Sequence, residues 1–404
     1  MSCVVALDVS MGKSYAVSYD KTTCVEEKEI FHNKQGFSKL RKMIEECPVP
    51  PQVVFEATGV YSKPIEKFLQ DESIAYSCLN PMEASRQLNM EGLRIHKTDR
   101  SDAHRLAQTH SLFQRPRTIE SSFVYQEARN LARFYHEVEG AIKRDRMALH
   151  TALHQSFPEL ESLFVNRISK LSLNLVELFP HPALLNGFSR TRVKNILLKN
   201  TDKKISQKKA LKKAEELLEL THNSYPAVSK DSVIVKKVQY YSRRLMELLL
   251  QKEQLQKELI QIVQSLPEFA ILTSLPGIGE PTAALLIGEL GDIRRFATNR
   301  KLNAYVGIDI RRYQSGKYQG IDRINKRGNG KARMILFFTI KNMVRQQRAA
   351  PNHLVDYYYK LKKGPHPKKD KVATVACINK LIKTIHFLIL NNQQYDYTKA
   401  PKAK

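Results

Sequence analysis

The stretch IHKTDRSDAHRLA, residues 95–107, sets Asp99 and Asp102 three positions apart at an expected helix start, between Lys97, Arg100 and Arg105. A spacing of three places both carboxylates on one helix face. Two further acids close strand-like runs: Asp8 in CVVALDVS and Glu56 in QVVFE. Strand ends of one sheet can bring them toward the aspartate pair. Converging carboxylates repel unless cations lie between them. Two divalent ions about 4 Å apart on hard oxygen ligands activate a nucleophile and stabilise the leaving oxygen of an in-line phosphoryl transfer. The expected ligand set is therefore Asp8, Glu56, Asp99 and Asp102 around two magnesium ions, with Lys13, Lys97, Arg100 and Arg105 near the phosphates. A plainer reading stays open: Asp99 as a helix N-cap, Asp102 as a first-turn acid favoured by the helix dipole, Glu56 as a surface acid. An unpaired Asp8 inside VVALDV would be costly, which weighs against it.

A second cluster lies in DIRRYQSGKYQGIDRINKRGNGKAR, where Ser315 and Gly316 stand among Arg311, Arg312, Lys317, Arg323, Lys326 and Arg327. One serine in a turn is ordinary. Ringed by cations, it can attack a phosphodiester, because guanidinium and ammonium groups stabilise the developing phosphorane charge. Just upstream, SLPGIGEPTAALL holds Pro276, Gly277 and Gly279 in a tight turn between two helices, a helix-hairpin-helix signal. The glycines of such a turn let backbone N–H groups approach a DNA phosphate without reading sequence. Close helix packing is the alternative use for them.

The elements that must position these residues follow from periodicity. CVVALDVS, KSYAVSYD and CVEEKEIFHN read as three strands, FSKLRKMIEEC as a helix, QVVFEAT as a strand, KPIEKFLQDE as a helix and IAYSCLN as a strand. Pro81 opens a further helical stretch, MEASRQLNM, before the aspartate pair. Three leading strands followed by β/α units is the order of a ribonuclease H-like core. Residues 125–157 and 233–266 carry long helical patterns, the second with Leu245, Leu248, Leu255, Leu259 and Val263 near heptad spacing. They suggest an antiparallel coiled coil, a dimerisation arm or a spacer. Between them, LLKNTDKKISQKKALKKAEELLEL is basic, either an inserted subdomain or a solvated helical face. The expected fold is α/β plus α, with domains at 1–120, 121–266 and 267–404.

Composition sets the outer bounds. The chain has 404 residues, 42% hydrophobic and 26% charged, the balance of a soluble globular protein. No apolar run is expected to reach the roughly 18 residues of a membrane span. No basic leader precedes the first apolar run, so a cytoplasmic setting is expected. Cys3, Cys24, Cys47, Cys78 and Cys377 form no CxxC pair, so neither a disulfide framework nor a zinc site is expected and the thiols read as core residues. The formal charge of +26 is uneven: residues 1–110 hold 14 Lys+Arg and 15 Asp+Glu (14 − 15 = −1), residues 311–404 hold 22 Lys+Arg and 4 Asp (22 − 4 = +18). Such asymmetry calls for a polyanion.

Taken in order, ALDVSMGK, FEATGVY, NPMEASRQL, KTDRSDAHRLA, LPGIGEPTAALLIGELGDIRRF, LNAYVGI, YQSGK and INKRGNGKAR make the chain resemble the insertion sequence 110 family of transposases, the DEDD recombinases. The resemblance implies a RuvC-like domain with Asp8, Glu56, Asp99 and Asp102 as its acidic tetrad, a coiled-coil arm, and a C-terminal transposase domain with Ser315 as nucleophile. It further implies magnesium, donor and target DNA, a structured bridge RNA that pairs with both, and homodimers joining into a homotetramer. Residues 158–230 and the tail after about 348 match none of these motifs, and tyrosines and lysines replace the family's alanine- or glycine-rich texture around the serine. Three functions remain to be separated: an RNA-guided recombinase, a metal-dependent Holliday-junction-type nuclease that uses water, and a non-catalytic architectural binder.

Overall fold

A computed structural model describes residues 3–81, 84, 98–113, 115–118, 122–201, 204–316 and 318–399. The chain divides into two compact units, Met1–Glu120 and Ser121–Lys404.

The first unit is built on a five-stranded mixed sheet. Its strands are β1 (Cys3–Ser10), β2 (Lys13–Asp20), β3 (Thr23–Phe31), β4 (Gln52–Glu56) and β5 (Tyr76–Leu79), in the order β3-β2-β1-β4-β5. β1, β2 and β3 are antiparallel neighbours, whereas β4 runs parallel to β1 and β5 parallel to β4. Helices α1 (Lys34–Glu45), α2 (Lys63–Asp71) and α3 (Asp99–Phe113) complete it. Alternation of side chains splits the core into two layers. Val5, Leu7, Val9, Val53 and Phe55 pack with Leu40 and Met43 of α1 and Ile65 and Leu69 of α2. Val4, Ala6, Val17, Tyr19 and Val54 pack with Ala103, Leu106 and Ala107 of α3. Both faces of β1 are covered, which is why CVVAL reads as an unbroken apolar run. The MEASRQLNM stretch lies outside the described residues except for Ala84, which joins the α3-side core.

The second unit is helical. α4 (Phe123–Ser156) and α8 (Val233–Val263) pair in antiparallel, with Asp145 bridged to Arg244 at 2.8 Å and Glu139 to Lys252 at 2.8 Å. One end of the pair shares a core with α5 (Lys170–Leu178), α6 (Arg190–Lys199) and α7 (Gln207–Asn223). The other end shares a core with α9 (Pro267–Thr273), α10 (Glu280–Leu290), α11 (Asn299–Val306), α12 (Gly330–Arg345), α13 (His353–Lys363) and α14 (Asp370–Leu390). Residues 121–266 and 267–404 thus lie in one compact unit with two cores. Leu245, Leu255, Leu259 and Val263 are buried in the helix pair and Leu248 is half-buried. In α7, Ala210, Ala214 and Leu217 face the core while Lys208, Lys209 and Lys212 lie on its outer side or rim, so the basic stretch is a packed helix with a charged outer face.

Two expectations need correction. α14 is long and apolar enough to cross a membrane by composition, although Lys380 and Lys383 interrupt it and 56% of its most apolar window is buried inside the protein. It supplies Ala373, Cys377, Ile378, Leu381, Ile382, Ile385 and Ile389 to the core, which explains the run without a bilayer. Nor are all the cysteines core thiols: Cys3 and Cys377 are buried, but Cys24 is exposed.

Candidate active site

Parallel pairing of β1 and β4 sets Leu7 opposite Phe55, so Asp8 and Glu56 are the next pair in register. Both are half-buried. Because Val4, Ala6 and Val54 face α3, alternation turns Asp8 and Glu56 to that side of the sheet as well. α3 crosses this face with Ala103, Leu106 and Ala107 inward. Asp99 lies four positions before Ala103 and Asp102 four before Leu106, so both aspartates sit above that inward stripe, in the first turn. The sheet and α3 therefore bring all four acids to one face of the first unit.

The helix start separates the two readings of Asp99. Thr98, not Asp99, caps α3: its Oγ1 accepts the Ser101 N–H at 3.1 Å, and Ser101 Oγ accepts the Thr98 N–H at 3.0 Å. That reciprocal pair satisfies the end of the helix. Asp99 is thereby relieved of capping. Among the described residues neither Asp99 nor Asp102 has a side-chain hydrogen bond or ion pair, an arrangement that leaves both carboxylates for a ligand. The donor set is all hard oxygen, which suits magnesium.

The cations nearby are mostly committed. Lys13 at the start of β2 bonds Glu29 at 2.5 Å; that carboxylate, with a smaller contribution from Asp99, holds its ammonium above the ordinary lysine value. Arg100 donates to both oxygens of Glu27, at 3.0 and 2.5 Å. Arg105 is half-buried. Lys97 lies outside the described residues.

In the second unit, Ser315 rides an exposed hairpin between α11 and α12. Its lower rungs are β6 (Ile310–Arg311) with β9 (Arg323–Ile324), its upper rungs β7 (Gln314–Ser315) with β8 (Tyr318–Gln319). Ser315 pairs with Tyr318 and is followed by Gly316 at φ +55°, a left-handed turn position that glycine takes without strain. Arg311 stands directly opposite Arg323. Like charges so placed are destabilising in water and favour an anion between them. Arg312 instead pairs with Asp322 at 3.0 Å. Lys326 and Arg327 are exposed at the base, and Lys317 lies outside the described residues. Among the described residues the Ser315 side chain has no hydrogen-bond partner.

The two glycines of the PGIG turn, between α9 and α10, differ. Gly277 has φ +86°, and a Cβ there would lie 2.8 Å from Met343 Cγ and 3.2 Å from the α12 backbone. Packing alone demands it. Gly279 is exposed at the start of α10 and a Cβ would meet only Pro281 at 3.8 Å. Gly279 is thus the more open of the two glycines, with the like-charged Glu280 beside any phosphate that reaches the turn.

Comparison with known proteins agrees with the motifs. A profile described as Transposase, for DEDD-type IS110 transposases, matches residues 5–158, and one described as Transposase IS116/IS110/IS902 family matches residues 269–355. The chain belongs to the IS110 family of transposases. Neither profile reaches residues 159–268 or the tail beyond 355. This IS110-family chain is 30% identical over 90 residues to the transposase for insertion sequence element IS1111A of Coxiella burnetii, covering 22% of this chain and 25% of that one. It is 23% identical over 253 residues, 60% of each chain, to the insertion element IS110 uncharacterized 43.6 kDa protein of Streptomyces coelicolor. With the transposase for insertion sequence element IS1328 of Yersinia enterocolitica it shares 37% over 65 residues, 16% of this chain and 20% of that one. The matched stretches thus span between a fifth and three fifths of these relatives.

Sequence reasoning missed the polar node behind the hairpin. Glu289, fully buried in α10, accepts from Asn329 Nδ2 at 2.7 Å, while Asn329 Oδ1 caps α12 by accepting from Lys331 and Ala332. The GELGD and GNGKAR motifs contain both residues, but only the fold pairs them.

Proposed function

We propose that this IS110-family chain is an insertion-sequence transposase: a DNA recombinase that joins donor and target DNA under the guidance of a structured bridge RNA. Asp8, Glu56, Asp99 and Asp102 would hold two magnesium ions, and Ser315 is the nucleophile. The observation that carries this is the gathering of four carboxylates on one face of a mixed sheet, with Thr98 taking the capping duty that would otherwise explain Asp99. The β3-β2-β1-β4-β5 order supports a RuvC-like, ribonuclease H-like core for this unit.

Magnesium, when bound, supplies charge neutralisation at the scissile phosphate and polarisation of its oxygens. The Ser315 hydroxyl gives up its proton, by way of solvent, to the departing 3′ oxygen as its own oxygen attacks phosphorus. The bond to the 3′ oxygen breaks, and the DNA 5′ phosphate remains on the serine as an ester. Arg311 and Arg323, opposed on the hairpin, offset the charge of the five-coordinate phosphorus. Attack on the ester by the 3′ hydroxyl of a new partner strand then restores the serine and joins the DNA without an outside energy source. Homodimers joining into a tetramer would present the strands to be exchanged.

A metal-dependent junction nuclease is the second reading. It is favoured by the exposure of Ser315 and its lack of a hydrogen-bonded base among the described residues. Asp8→Asn, Glu56→Gln, Asp99→Asn and Asp102→Asn test what both readings share: each should abolish DNA strand cleavage while metal-free thermal stability holds or rises, because each substitution relieves carboxylate repulsion. Full cleavage by Asp102→Asn would remove the basis of the proposal.

A further inference from the structure

β2 and β3 pair with one residue in excess: Tyr19 stands opposite Cys24, but Ser18 stands opposite Glu26. In an unbroken strand, residues three apart point to opposite faces. The extra residue, Val25, is 66% exposed, and it brings Cys24 and Glu27 to the same face, the one that α3 crosses. α3 sets His104 against them. Its Nε2 is 2.8 Å from Glu27 Oε2, and its Nδ1 is 2.8 Å from the Tyr19 hydroxyl. The Cys24 sulfur, a Glu27 oxygen and a His104 nitrogen all lie within 4.8 Å of one another.

We propose that Cys24, Glu27 and His104 form a binding site for a zinc-class divalent ion, separate from the acidic tetrad. Thiolate, imidazole and carboxylate are a borderline-soft donor set, which selects zinc over magnesium, whereas the tetrad offers hard oxygen alone. The groups behind the ligands are those a metal site uses. Tyr19 holds Nδ1 and so leaves Nε2 to face the ion, while Arg100 grips both oxygens of Glu27 and fixes the carboxylate plane. Binding releases the thiol proton of Cys24, while the neutral His104 ring keeps its one proton on Nδ1, donated to the Tyr19 hydroxyl oxygen, and ligates through Nε2. The thiolate and carboxylate then carry two negative charges against the single positive charge of Arg100, and water takes the fourth position. The ion would pin β3 to the helix that carries Asp99 and Asp102. The inference stands independently of the recombinase reading.

Cobalt(II) is the probe, because a sulfur-to-cobalt charge-transfer band in the near ultraviolet arises from thiolate ligation and not from carboxylates. Chelator-stripped, reduced full-length protein should develop this band at one cobalt per chain and lose it on addition of zinc. Asp8→Asn and Asp99→Asn should keep it. Cys24 is exposed on its strand, so Cys24→Ser preserves the fold, and it should abolish the band. His104→Gln should weaken zinc affinity at least tenfold by calorimetry. Absence of the band in the wild type, its survival in Cys24→Ser, or unchanged zinc affinity in His104→Gln overturns the proposal.

Discussion

Individual residues divide into those whose role follows from type and position and those whose role needs a tertiary partner. The placement of Asp8 and Glu56 at neighbouring strand ends was readable because an acid ending an apolar strand is rarely a neutral choice, and the shared face of Asp99 and Asp102 because of their spacing of three. Thr98 was passed over beside the more conspicuous aspartate, though a threonine three residues before a serine is a local capping signal. Asn329 could not have been read at all, since its partner Glu289 is 40 positions away. Asn329→Ala should cost roughly 2–4 kcal/mol, from a lost helix cap and a buried carboxylate deprived of its donor. Chemical denaturation measures this; a loss under about 0.5 kcal/mol, the range of ordinary surface changes, would show the node to be unimportant. Gly277→Ala should destabilise by about 1–3 kcal/mol through overpacking against Met343 and an unfavourable φ, while Gly279→Ala should fold like the wild type. Equal stability of the two variants would contradict the different roles assigned to them.

At the scale of elements, the strands and the two long helices were visible because their periodicities are strong, and α4 and α8 begin within two residues of expectation. What periodicity could not supply was which elements share a core, so the basic stretch 197–220 stayed open between an inserted subdomain and a solvated helical face; its helix α7 packs on the core of the α4–α8 pair with lysines on its outer side. α14 lies in the tail that no motif covered, and burial on most sides gives it a composition that a membrane span shares. Two buried histidines make the elements sensitive to acid. His110 in α3 donates from Nε2 to Gln52 Oε1 at 2.7 Å, and its buried Nδ1 has no partner among the described residues. Burial, with Arg115 nearby, lowers it from 6.5 to about 4. Burial, with Lys380, likewise lowers His353 at the start of α13 to about 4. Folding prefers the neutral ring in both. The stability this gives is fully present above pH 6.5 and is lost as pH falls toward 4, by up to about 3 kcal/mol for each group. Thermal unfolding followed from pH 7.5 to 4 should show a falling midpoint, with a shallower fall in His110→Gln; identical slopes would exclude this role for His110.

For the whole molecule, charge is the plainest message of the sequence: a nearly neutral N-terminal 110 residues and a C-terminal stretch of +18 over residues 311–404. Fold class and family were also readable there, because several ordered motifs constrain them together. Ser315 was readable as a residue but not as a site, because the hairpin exposes it without a base among the described residues. If the basic surface binds phosphate backbones, DNA affinity should fall linearly on a log–log plot against salt, with a slope of about −0.9 per duplex phosphate contacted. A flat response would remove nucleic acid as the partner. The most direct measurement concerns the serine. Protein, its RNA, magnesium and end-labelled target DNA carrying a nick that stalls rejoining are incubated, denatured and resolved. The wild type should show a protein band bearing labelled DNA through a serine ester, and Ser315→Ala should lose both the band and all strand exchange while retaining DNA binding. Cleavage by Ser315→Ala, or free DNA ends alone from the wild type, would make water the nucleophile and contradict the recombinase mechanism.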